Sequence, residues 1–374
     1  MASFNSWNDV TAGVDYGKVH GSRAILTDIL KTRLGFDGFV VSDWNGIGEV
    51  PGCKDDSCAQ AINAGIVMAM VPEQWKSFIA NTIAQVERVK LRAGLFGQRP
   101  SQNAWAGRQD ALQDRALALL KNQGPGAGSV IPLQAGTRIL VVGKSAASLS
   151  NQTGGWSLTW QGRDNINADF PHADTILAGI EQAAGAANVS YSVDAADVDV
   201  RSYDAIIAVI GERPYAEGEG DIGPAATLRH TSRYPEDLAV LQAVVGHGKP
   251  VITVFVAGRP LYVNDLLNLS DVFVAAWLPG TEGGGVADLL VAGGQQQGFT
   301  GKLSFSWPGS ACQTSLNVGD AGAAPLFAYG YGLTTSTRSA LAQLTTSSPP
   351  AGCDASNSSL IDSAASRAHL PGAP

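Results

Sequence analysis

Three short segments hold the residues whose types and spacing could do chemistry. Asp43 stands in Val41-Ser42-Asp43-Trp44, directly after the apolar run GFVV at 38–41. A carboxylate at the carboxyl end of a buried parallel strand faces the ligand crevice of an α/β fold. An Asp there also commonly caps the next turn. The segment ERPYAEGEGD at 212–221 carries four carboxylates: Glu212, Glu217, Glu219 and Asp221. Most charges in such a loop are solvated. Held at a strand's carboxyl edge, one of them can reach a neighbouring site, and glycoside hydrolysis requires two carboxylates on opposite sides of one bond. The third segment, GGWSLTWQG at 154–162, sets Trp156 and Trp160 four residues apart. Two indoles in a glycine-bounded loop are not easily both buried. Their flat faces suit the C–H faces of sugar rings, with core packing of one or both as the alternative. Asn151, Gln152 and Gln161 are neutral groups that could hydrogen-bond hydroxyls, which suits a polyol better than a phosphate.

Other chemistries find no host. Gly218, Gly220 and Gly223 spell G-x-G-x-x-G, but the motif begins seven residues after the strand ends at Gly211, with acids crowding it and Pro224 following. A dinucleotide loop needs the motif directly between strand and helix. No G-x-x-x-x-G-K-[ST] and no G-x-S-x-G occurs. Cys53 and Cys58 lie five apart, Cys312 and Cys353 are isolated, and the five histidines lack zinc spacing. No metal and no cofactor is therefore expected. Cys53 and Cys58 read as a small loop staple or two free thiols, and a disulfide would place the chain in an oxidising compartment.

The elements that must position these residues follow from composition and periodicity. The 374 residues are 45% hydrophobic and 16% charged, which gives a globular chain of two or three domains with a sizeable core. A net charge of −8 without a Lys/Arg cluster argues against nucleic acid or an anionic membrane as partner. No apolar run reaches membrane-spanning length, and the start MASFNSWNDV is not a secretory signal. Short apolar runs at 38–41 and 66–71 read as buried parallel strands, with helices at 20–34, 58–64 and 74–94. Residues 98–107 read as a crossing linker and 110–121 as a helix. Strands follow at 138–143, 188–193, 204–211, 250–257, 271–278 and 301–306. Helices fall at 174–184, 234–245 and 282–292. This alternation predicts a mostly parallel α/β sheet. The Ser/Thr/Pro-rich stretch 336–374 is expected to be disordered.

Several motifs together resemble glycoside hydrolase family 3, in its exo-β-glucan glucohydrolase and β-glucosidase branch. They are GFDGFVVSDWNG, AINAGIVMAMVPEQW, LLKNQG with IPL, NQTGGWSLTWQG, GERPYAEGEGD, GKPVITVFVAGRPLYV and AAWLPGTEGGGVADLL, collinear over 1–335. The resemblance implies a (β/α)8 barrel followed by an α/β sandwich with the site between them. It implies Asp43 as catalytic nucleophile, Glu217 as acid/base, Trp44 and Trp160 as the clamp on the next sugar, and Phe4 near the non-reducing glucosyl unit. Trp156 is added as a further sugar-binding candidate. The implied reaction is retaining and releases glucose from the non-reducing ends of β-glucans or β-glucosides. The implied location is periplasmic or secreted.

The chain also departs from the family. A closed barrel needs eight βα units and about 250 residues, whereas 1–107 holds two or three units, a partial barrel carrying the nucleophile. Residues 108–123 then form a linker helix, and 124–335 the sandwich domain carrying the acid/base. No Lys-His dipeptide occurs, and Val67 stands where the family often has an acid. The barrel remnant is expected either to be poorly ordered or to find cover through self-association. The alternative function is a catalytically weak or inactive fragment acting as a glucan-binding or interaction module.

Overall fold

The computed structural model describes residues 1–81, 116–124, 129–223, 226–292, 298–320, 322–339, 341–347 and 353. The chain divides into two compact units, Met1–Ala104 and Trp105–Pro374.

The first unit opens with an antiparallel hairpin, β1 (Ser6–Asp9) and β2 (Val14–Lys18). The Asp9 carboxylate turns it by accepting the backbone N–H groups of Thr11 and Ala12. Two parallel strands follow, β3 (Val40–Trp44) and β4 (Ile66–Met70), joined through the short helix Ala59–Ala64. Their core is small: Leu26, Val40, Ile47, Val50, Ala61 and Ile66 lie buried together. The Cys53–Cys58 disulfide closes the loop ahead of that helix, and Cys58 Sγ accepts the Ala61 N–H as its N-cap. Two expectations are corrected. Strand β3 starts and ends later than 38–41, because Phe39 is exposed and pairing with β4 begins at Val40, so Asp43 lies within the strand. The segment 20–34 is not one α-helix but a 3-10 turn, Val19–Gly21, followed by π-helical winding over Ala24–Arg33, where the Leu34 N–H reaches Ile29 O. Residues 75–81 are helical as expected, Gln74 lies in the bend before them, and 82–94 and the linker at 98–107 lie outside the described residues.

The second unit is a three-layer α/β sandwich. Its six-stranded sheet contains β5 (Ala118–Asn122), β6 (Ile139–Val142), β7 (Val189–Ser192), β8 (Ala205–Gly211), β9 (Val251–Val256) and β10 (Val272–Trp277). The order across the sheet is β5-β10-β9-β8-β6-β7, parallel except for β5. The central strands read ILVV, AIIAVIG, VITVFV and VFVAAW because both of their faces are buried. Alternate residues serve the two faces. Ile206, Ala208 and Ile210 meet the helices Pro235–Val244 and Asn264–Leu269. Ala205, Ile207 and Val209 meet Ile176–Ala184 and Gly283–Leu290. The chain leaves β6 for β7 on one side and returns to β8 on the other. The carboxyl ends of β6 and β8 therefore form the topological switch point, where open α/β sheets bind ligands.

The expected linker helix at 108–123 is corrected over its described part. Residues 118–122 form β5, an edge strand antiparallel to β10. Leu117, Leu119 and Leu120 are fully buried there, so tertiary pairing overrides the helix propensity of ALALLKN. The expected strand at 301–306 is also absent. The segment is held instead by the Trp307–Phe327 bridge, the Leu303–Tyr331 and Gly330–Leu303 backbone bonds, Lys302 donating to Gly332 O, and Leu303 buried in the core.

The expected disorder of 336–374 is corrected over its described part, and residues 340, 348–352 and 354–374 lie outside the described residues. Residues 336–339 and 341–347 form an ordered strap. Asn122 donates to the Thr335 and Thr337 carbonyls, Tyr262 and Asn264 to Thr345 O, and Asn268 to Leu344 O. Leu341 and Leu344 pack on the core. Further on, Cys353 is joined to Cys312 across 41 residues, a pairing that sequence distance conceals.

Candidate active site

In the first unit, Asp43 sits near the carboxyl end of β3, partly buried. Its Oδ1 accepts the Trp44 N–H at 2.8 Å, and its own N–H donates to His20 Nε2 at 2.9 Å. The neighbouring Ser42 is buried and accepts the Met70 N–H at 2.7 Å, which locks β3 to β4 beside the carboxylate. Phe4 is exposed, with its ring 5.7 Å from that of His20. Asp43 and Phe4 thus both meet one buried histidine, which sequence reasoning missed. The only signal was its position just before a helix, which does not point to Asp43.

His20 is fully buried, and burial pushes its imidazole below the ordinary 6.5, more than the Asp43 charge raises it. The neutral ring is the form that can accept the Asp43 N–H. As pH falls through 6.5, the unfolded chain binds a proton that the folded chain refuses, so stability present above that pH is lost on acidification. Urea midpoints measured from pH 8 down to 5 are expected to fall for the parent and to lose that part of the slope in His20→Gln. Parallel slopes would reject the role of His20.

In the second unit, the loops after β6 and β8 meet at the switch point. The Trp160 Nε1–H donates to Glu217 Oε2 at 2.6 Å. Gln161 straps the same loop, accepting the Ala216 N–H at 2.7 Å and donating to Glu217 O at 3.2 Å. Gly155 permits this approach, since a Cβ there would stand 2.0 Å from Tyr215 O. Trp156 and Trp160 are both about half exposed, with ring centroids 6.5 Å apart at 51°. Glu217 is exposed to solvent.

The four loop carboxylates separate clearly. Glu219 pairs with Arg163 at the surface, and Asp221 is exposed. Glu212 is buried and paired with Arg259 at 2.8 Å. The expected hydroxyl-binding role of Asn151 and Gln152 is corrected. Asn151 is buried against Ser145. Gln152 is fully buried, bonded to Asp174 O, Gly280 O and the Ile176 N–H. Gln161 spends its amide on the loop backbone rather than facing outward.

The glycosyl hydrolase family 3 C-terminal domain profile matches residues 117–335, and the family's N-terminal domain profile matches 1–99. The chain belongs to glycoside hydrolase family 3. An exo-1,3/1,4-beta-glucanase from a Pseudoalteromonas species is 44% identical with a TM-score of 0.65, over 89% of this chain and 45% of that one. A lysosomal beta glucosidase of Dictyostelium discoideum is 29% identical over 85% of this chain and 44% of its own length. A periplasmic beta-glucosidase of Salmonella typhimurium is 26% identical over 93% of this chain and 54% of its own. The chain spans about half the length of the curated relatives it matches. Among the described residues, no helix of this family 3 chain is long and apolar enough to cross a membrane.

Proposed function

We propose that this chain carries both catalytic carboxylates of an exo-acting β-glucosidase or β-glucanase. Asp43 is the nucleophile and Glu217 the acid/base. The observation that carries the reading is the 2.6 Å bond from Trp160 Nε1 to the Glu217 carboxylate, made where two strands' carboxyl ends meet at the switch point. It ties an acid to an aromatic sugar platform. In the retaining reaction the two carboxyl groups flank one glycosidic bond, ~5–5.5 Å apart. The Asp43 carboxylate attacks the anomeric carbon while Glu217 gives its proton to the leaving oxygen. Glu217 then takes a proton from water, and that water cleaves the glycosyl–Asp43 ester to release glucose. Trp44, Trp156 and Trp160 stack on the sugars and Phe4 lies near the non-reducing unit. The substrate class is β-1,3- and β-1,4-linked glucan oligosaccharides and β-glucosides.

The first unit reads as part of a (β/α)8 barrel and the second as the sandwich that supplies the acid/base. The exposed Phe36, Phe39 and Met68 of the first unit are expected to be covered, by further barrel units or by a second copy of the chain. Two disulfides support a location in an oxidising compartment, periplasmic or outside the cell. A second reading, a glucan-binding module, is favoured by the half-exposed Trp pair on a unit with its own large core.

A trapping experiment separates the two. Incubation with 2,4-dinitrophenyl 2-deoxy-2-fluoro-β-D-glucoside is expected to add one fluoroglucosyl group to the peptide containing Asp43, and none to Asp43→Ala. An unlabelled parent whose Trp fluorescence is still quenched by laminaribiose would favour the binding module.

A further inference from the structure

Glu217 owes its position to more than Trp160 and Gln161. The loop that bears it starts at Gly211, where a Cβ would stand 1.8 Å from Val256 O, so only glycine lets β8 end against β9 there. The next residue, Glu212, donates its N–H to Val256 O, and its side chain is only 4% exposed. A buried carboxylate needs partners on both oxygens. Oε1 accepts Arg259 Nε at 3.1 Å and Nη2 at 2.8 Å, and Oε2 accepts the Tyr215 hydroxyl at 3.0 Å.

The same guanidinium reaches further round the loop. Its carbon lies 4.3 Å from the Tyr215 ring centroid, and Nη1 donates to Gly220 O. One side chain from the turn after β9 therefore grips residues 212, 215 and 220, on both sides of Glu217. Burial, and then the Glu212 charge, raise the Tyr215 hydroxyl above its ordinary range, so it stays protonated and keeps donating. Only a planar fork with several donors can serve all three contacts, which a lysine ammonium cannot reproduce.

We propose that Arg259 is the positioning residue of the acid/base loop, setting Glu217 against Trp160 by tying both ends of 212–221. This rests on the reading of Glu217 as acid/base. The rival view makes Arg259–Glu212 a structural ion pair with no bearing on where Glu217 stands.

The test uses the full chain with Arg259→Lys, Arg259→Gln and Glu217→Gln. The first readout is the Trp160 indole N–H resonance, assigned by its loss in Trp160→Phe. The second is the ratio of kcat/KM for 2,4-dinitrophenyl β-glucoside, whose leaving group needs no proton, to that for an alkyl β-glucoside, whose leaving group does. Glu217→Gln is expected to move the Trp160 resonance upfield. Both Arg259 variants are expected to move it the same way while the other indole signals hold, and to raise the ratio at least tenfold. If Arg259→Gln alone fails to fold, the double variant Glu212→Gln/Arg259→Gln removes both buried charges and is expected to give the same shift. A Trp160 signal that stays at its parental position in folded Arg259 variants, while Glu217→Gln moves it, overturns the proposal and leaves the acid/base reading intact. A Glu217→Gln variant with parental leaving-group ratio, in a chain that turns over, overturns the acid/base reading and the proposal with it.

Discussion

Asp43→Ala is expected to lower kcat/KM for 4-nitrophenyl β-D-glucoside by about 10⁴-fold or more. The proposed nucleophile is a carboxylate fixed on a partly buried strand, with its backbone N–H held by His20 and Oδ1 held by the Trp44 N–H. Water in its place must find its own orientation and a base. Alanine also removes the acceptor for the Trp44 N–H, so circular dichroism must show that the variant is folded. Added azide is expected to restore part of the rate by occupying the space the carboxylate leaves. Because it attacks from the face opposite the leaving group, the product is α-glucosyl azide, of inverted configuration. A parent that turns over no faster than the variant would reject hydrolysis by this chain and leave the glucan-binding reading. Rescue that yields the β-azide would reject Asp43 as the nucleophile.

The second large effect concerns stability. Asp237 is 1% exposed and serves three partners. Oδ1 pairs with Lys144 Nζ at 2.6 Å, and Oδ2 contacts His230 Nε2 at 2.7 Å and accepts the Gly211 N–H at 3.1 Å. Lys144 and His230 are themselves largely withdrawn from water, and Lys144 Nζ lies 4.5 Å from the Tyr234 ring centroid. Removing one partner of a buried pair leaves the other charge uncompensated, at about 3–5 kcal/mol. Asp237→Ala is expected to lower the second unit's unfolding free energy by that much, read from urea denaturation. A loss below about 1 kcal/mol would mean that Lys144 finds water or Glu236, which already lies 3.4 Å away. Because Gly211 begins the loop that bears Glu217, the same variant is expected to disturb Glu217 at urea concentrations too low to unfold the sheet.

The sheet was legible where physics is local. DAIIAVIG and PVITVFVA can hardly be anything but strands buried on both faces, and the structure trims the first by one residue and the second by one at each end. The segment ALALLKN was misread because its fate depends on β10, some 150 residues later in the chain, whose edge needs a partner. The site was legible as types of residue: carboxylates after strands and a Trp pair in a glycine loop. Their roles came from collinear resemblance, since nothing local tells Glu217 from Glu212. That distinction is made by Arg259, which is 47 residues from Glu212 and lies on another strand's exit. His20 was hidden for a similar reason, because its partner is a backbone N–H that no pattern of side chains reveals. The strap at 336–339 and 341–347 was lost to composition: Ser and Thr read as unstructured unless the asparagines and tyrosine that donate to the strap's carbonyls are already in place.

The link between Cys312 and Cys353 has a consequence for how this protein meets a protease. The strap lies inside the covalent ring that the bond closes. A cut anywhere between the two cysteines opens the ring but frees neither end, so both pieces stay tethered through the Cys312–Cys353 bond. Intact mass would rise only by the water of hydrolysis, and the nick would become visible as two pieces only after reduction. In an extracellular setting rich in peptidases, such a chain can be damaged in this region without coming apart.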